Sequence, residues 1–133
     1  MTSITETDLD IISSDKVEGT AVYDVGGQKL GSIDDLMVDK LSGQVHYAVM
    51  EFGGFLGMGT ERFPIPWKVL KYSTAHNGYV VPIDKAILDK APRYEEDSVP
   101  LYDQAYGDRV DNYYQRYLRG ILERGQLWPR IDH

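Results

Sequence analysis

Between Val17 and Ile83 the chain consists of short runs of β-branched and aromatic residues, each cut by a turn. Residues 17–24 end at Gly26-Gly27, a two-glycine hairpin signal. Residues 29–40 follow, and Leu41-Ser42-Gly43 turns the chain again. Residues 44–52 form the next run, and a glycine-rich stretch at Gly53, Gly54, Gly57 and Gly59 leads to Phe63-Pro64-Ile65-Pro66. Two prolines cannot donate to a ladder, so this piece is expected at a sheet edge or at a bend. Residues 67–70 predict a tight helical turn, Asn77-Gly78 a hairpin, and residues 79–83 a last strand. Five or six short strands joined by short turns predict a mainly β fold, a small antiparallel barrel or sandwich, since parallel neighbours need long crossovers.

The 44–52 run carries extra information. Val45, Tyr47 and Val49 lie on one face; Ala48, Met50 and Phe52 lie on the other. A strand with one wet face alternates apolar and polar residues, and this one does not through its middle. Its second face therefore needs a cover, supplied by the C-terminal helix or by another copy of the chain. Farther on, Val110, Tyr113, Tyr114, Tyr117, Leu118, Ile121 and Leu122 recur at spacings of three and four. That is one apolar stripe of an amphipathic helix over 107–125, with Asp108 as N-cap and Gly125 as C-terminal cap. Gly120 inside it costs ~1 kcal/mol against Ala, so packing must hold the helix. The division expected is a mobile N-terminal tail over 1–14, a barrel domain over 15–93, an acidic connector over 94–106, and the C-terminal helix and tail over 107–133.

The strand residues also resemble a known family. Val17-x-Gly19, Tyr23-Asp24, Leu30-Gly31-x-Ile33-x-Asp35-Leu36, Asp39 and Gly43-x-Val45-x-Tyr47-Ala48-Val49 look like a PRC-barrel domain, and 52–59 and 63–67 strengthen the likeness. The resemblance implies a PRC-type barrel of about six strands in a stand-alone bacterial protein. The fold relatives are the cytoplasmic domain of the photosynthetic reaction-centre H subunit and the C-terminal domain of the ribosome-maturation protein RimM. Both serve docking or assembly. Residues 1–133 match neither the membrane helix of the first nor the N-terminal domain of the second, so the expectation is that neither specific role transfers.

Composition narrows the chemistry. Lys plus Arg is 14 against 21 Asp plus Glu, a net charge of −7, which disfavours direct nucleic-acid contact. There is no cysteine, hence no disulfide, thiol nucleophile or thiolate metal site. No stretch is long and apolar enough to span a membrane, and the polar, acidic start does not read as an export signal; the expected address is the cytoplasm. His46, His76 and His133 have no ligand-pair spacing, and no serine sits in a nucleophile elbow, so no metal, cofactor or catalytic residue is assigned. Gly54-x-x-Gly57-x-Gly59 runs into a strand where a phosphate loop would run into a helix.

The expectation is a non-enzymatic cytoplasmic interaction or assembly module acting as a homodimer or higher homo-oligomer. Its contact residues would be Tyr47 and Val49 on the strand, Phe55, Leu56 and Met58 on the glycine-rich loop, and Tyr113, Tyr114, Tyr117, Leu118 and Ile121 on the helix. One alternative is an ion- or proton-handling carboxylate site built on Asp35, Asp39 and Glu51, as the H-subunit resemblance implies. Another is ribosome-assembly association, as the RimM resemblance implies.

Overall fold

Each predicted turn folds for a local reason. Asp24 Oδ1 accepts the amides of Gly26 and Gln28, both at 2.9 Å, and Gly27 takes φ +87. Asp39 Oδ1 accepts the amides of Leu41 at 2.9 Å and Ser42 at 2.8 Å, and Gly43 takes φ +78. Aspartate followed by glycine thus closes both hairpins, the first residue by bonding its own turn and the second by a backbone conformation that side chains disfavour.

The computed structural model describes residues 11–53 and 60–123. A short helix α1 (Ser14–Val17) leads into β1 (Ala21–Tyr23), β2 (Lys29–Val38), β3 (Val45–Gly53) and β4 (Thr60–Pro66). A single 3-10 turn, Trp67–Val69, precedes β5 (Lys71–Ser73), β6 (Gly78–Val80), α2 (Lys85–Asp89), β7 (Tyr94–Glu95) and α3 (Gln104–Glu123). Of the expected tail, residues 1–10 lie outside the described residues; Ile11 and Ile12 are exposed.

The strands form one seven-stranded sheet, in the order β5-β6-β1-β2-β3-β4-β7. Two expectations are corrected. The strand count is seven, because residues 94–95 of the connector add to the β4 edge opposite Arg62 and Glu61. The sheet is also mixed: β1 and β6 run parallel, Val22 beside Tyr79 and Tyr23 beside Val80. Short turns do not forbid this pair, because strands β2 to β5 intervene and serve as the crossover. No β5–β7 pairing closes the sheet among the described residues.

The inner face is aliphatic and closely packed. Met50 lies opposite Phe63 and Ala48 opposite Ile65. These four pack with Val22, Ile33 and Val81, all at most 2% exposed. Each such side chain contributes roughly 1.5–3 kcal/mol by leaving water. The strands cross closely at Gly31, where a Cβ would lie 2.3 Å from the Glu51 carbonyl oxygen. Pro64 and Pro66 fall in the half of β4 beyond its contact with β7, where the outer edge has no strand to receive a donor.

The C-terminal helix begins one turn earlier than expected. Asp103, and not Asp108, caps it: Asp103 Oδ1 accepts the Tyr106 amide at 2.9 Å. Gly107 is then interior, and its lack of a side chain lets the Tyr47 hydroxyl approach to 3.0 Å of where a Cβ would sit. Val110, Tyr114 and Leu118, spaced by four, are buried in the same core as Leu88 and Ile65. The helix docks on its own chain. Gly125 lies outside the described residues.

Candidate interaction surface and the Arg62 cluster

Cross-strand partners share a face, so the register lays out the outer side of β2, β3 and β4 in rows. One row is Ser32, Glu51, Arg62 and Tyr94; the next is Asp35, Val49 and Pro64; the third is Met37, Tyr47 and Pro66. Between Ile33 and Asp35 the β2 register slips, leaving Asp34 as the extra residue of a bulge.

Arg62 is the one buried charged side chain among the described residues, 7% exposed. Its Nε lies 3.0 Å from Asp34, one terminal nitrogen 3.5 Å from Glu51, and the other 3.6 Å from Glu96. The first of those terminal nitrogens also donates to the Thr60 hydroxyl. The guanidinium thus ties the β2 bulge, β3 and the segment after β7 to one point. A buried cation without partners costs several kcal/mol, and three carboxylates offset that cost.

Tyrosines close the rest of this face. The Tyr102 ring is 6.0 Å from Tyr47, 6.2 Å from Tyr94 and 5.1 Å from Tyr106. The Tyr94 and Tyr102 hydroxyl oxygens are 2.6 Å apart. Tyr47 donates to Asp111 Oδ1 at 3.2 Å, with the Gly107 carbonyl at 3.4 Å. Burial, then the Asp111 charge, pushes the Tyr47 hydroxyl up to about 12. Burial also raises Tyr94, Tyr102, Tyr106 and Tyr114. Tyr113 donates to the Ile87 carbonyl oxygen and is raised to about 12, by burial first and then by Tyr117. The hydroxyls of Tyr106 and Tyr114 are buried and have no partner among the described residues.

The residues singled out from the sequence go to different places. Val49, Tyr114 and Leu118 are buried by the chain itself, Tyr47 and Tyr113 are half-buried, and Tyr117 is 38% exposed. Phe55, Leu56 and Met58, and the side chain of Ile121, lie outside the described residues. Of the carboxylates, Glu51 goes to Arg62. Asp35 is exposed and accepts the Leu36 amide at 2.8 Å. Asp39 is held in its own hairpin, 3.5 Å from His46, and backbone amides of Ser42 and Leu41 lower its carboxyl. Asp35 and Glu51 share a face in adjacent rows, and Asp39 stands apart from both.

Sequence reasoning missed Arg62 as a hub. The available signal was Glu51, an acid in an apolar strand, which implies a basic partner. It also missed where apolar surface stays open. Val38 and Leu41, on the β2–β3 hairpin, are 51% and 99% exposed; Val99 and Leu101, in the connector, are 61% and 84% exposed. Val38 is opposite Val45, two residues from Tyr47, and Leu101 directly precedes Tyr102, whose ring rests against Tyr47.

Two comparisons with known proteins complete the description. The family model for the PRC-barrel domain matches residues 9–88, more than half of the chain. No curated protein matches it. Among the described residues, no helix is long and apolar enough to cross a membrane.

Proposed function

Because the chain belongs to the PRC-barrel family, we propose that it is a non-catalytic protein-interaction or assembly module that works in the cytoplasm as a homodimer or larger homo-oligomer. The observation that carries this reading is the open apolar surface: Leu41, at 99% exposed, and Leu101, at 84% exposed, gain nothing from the chain's own fold. Each recovers roughly 1.5–3 kcal/mol when a partner covers it, enough together to matter for association. The tyrosines and the helix stripe serve inside the chain as its second layer. Contact by the loop at Phe55, Leu56 and Met58 stays part of the proposal. The −7 charge favours a protein partner over nucleic acid.

The test is the solution mass of the full chain beside the double variant Leu41→Glu, Leu101→Glu. The proposal expects an oligomer that the double variant splits into monomers with an unchanged circular-dichroism spectrum. A wild-type monomer at every concentration, or an oligomer indifferent to both substitutions, defeats the proposed self-association.

A further inference from the structure

The connector between β7 and α3 is fixed at both ends and weakly held between them. Before it, Ala91 and Pro92 are buried; after it, Val110 and Tyr114 are. Between these anchors Glu95, Glu96, Asp97, Ser98, Val99, Leu101 and Asp103 are all exposed.

Its ties to the sheet are few. The ladder to β4 is two residues long. Arg93 reaches Glu61 at 2.9 Å and Arg62 reaches Glu96 at 3.6 Å. The Tyr94–Tyr102 bond lies within the connector and does not tie it down. Tyr102 lies against Tyr47 of the sheet and Tyr106 of the helix, and Arg93 lies over the Phe63 ring.

Charge works against closure. The short ladder sets Glu95 directly opposite Glu61, a like-charge pair that destabilises a strand contact. The connector also brings Glu96 to the outer sheet face, which already carries Asp34, Asp35 and Glu51. Arg62 and Arg93 pair with acids at this contact, and among the described residues Arg62 is the one that binds acids of both the sheet and the connector.

We propose that residues 94–102 are a latch closed by Arg62. The segment lifts from β4 as a unit while the sheet stays folded, and the Arg62–Glu96 contact sets how much of the time it is shut. Opening gives up the short ladder and the Tyr102–Tyr47 contact. It leaves the buried ends at Ala91 and Val110 in place, so it reverses without refolding. Segments with few buried contacts and exposed backbone bonds are the ones that open below the global unfolding limit. Val99 and Leu101 face water in the closed state and lose nothing on opening.

Native-state hydrogen exchange on the full chain tests the latch, comparing amides of 94–98 with those of Val49 and Met50. The wild-type connector is expected to exchange at least tenfold faster than Met50, at rates insensitive to low denaturant. Glu96→Gln should raise the connector rates severalfold and leave Met50 unchanged. Arg62→Met should raise the ratio of connector to Met50 rates further. Connector amides as protected as Met50, or variants that speed connector and sheet by one common factor or not at all, overturn the proposal.

Discussion

The two faces of β3 are both closed, by different chemistry. Inward, Ala48 and Met50 meet Ile65 and Phe63, and nothing polar intervenes. Outward, Val49 is buried beside Pro64, the Tyr47 ring lies against Tyr102, and the same face carries Arg62 with its three acids. The inner side depends on volume and shape; the outer side depends on hydroxyl bonds and charge balance. A strand apolar on both faces thus need not imply a partner chain. It implies a second layer, and here the chain's own C-terminal third supplies it.

The largest effect should come from emptying the inner side. Phe63→Ala is expected to cost about 3–5 kcal/mol, the lost transfer plus the cavity, read as a shift in the urea midpoint. Next is Arg62→Met. Complete loss of a buried ion-pair partner costs ~3–5 kcal/mol, but Asp34 and Glu51 keep about a third of their side chains in water. The expected loss is therefore smaller, about 2–3 kcal/mol. A neutral or stabilising outcome would put the two faces on the same footing.

Tyr47→Phe comes third, at about 0.5–1.5 kcal/mol for one hydrogen bond. Its pH signature separates it from a packing defect. The folded hydroxyl, held up to about 12, keeps its proton where the unfolded one near 10 has lost it. The unfolded state then binds fewer protons, so this contribution is whole below pH 10 and fades as pH rises toward 12. Denaturation midpoints across that window should fall less steeply in Tyr47→Phe than in the wild type, the other raised tyrosines keeping the rest of the slope. Smallest is Asp39→Ala, on the exposed hairpin. Its lowered carboxyl favours the folded state at neutral pH, and the benefit disappears as pH falls through the folded value. Amide shifts of Leu41 and Ser42 during acid titration follow it directly.

Most of the strand layout was legible because its punctuation is local. Asp24 with Gly27, and Asp39 with Gly43, each build a turn from residues a few positions apart. The need to cover β3 was legible too, from Val45 through Phe52. Long-range facts were not. The parallel β1–β6 contact joins residues 22 and 79, and no local pattern encodes it. The helix start was not legible because Asp103 and Asp108 are both competent caps, and the choice of Asp103 places Gly107 where the distant Tyr47 hydroxyl needs space. The Arg62 cluster gathers residues from positions 34, 51, 62 and 96, each unremarkable alone.

The account turns on the second layer being the chain's own. An isotope-filtered nuclear Overhauser experiment on a one-to-one mixture of labelled and unlabelled protein reads this directly at Tyr47 and Tyr102, 6.0 Å apart. The account predicts cross-peaks between these rings within one chain and none between labelled and unlabelled chains. Strong cross-peaks between the two kinds of chain would place the connector and helix on a neighbour and contradict it.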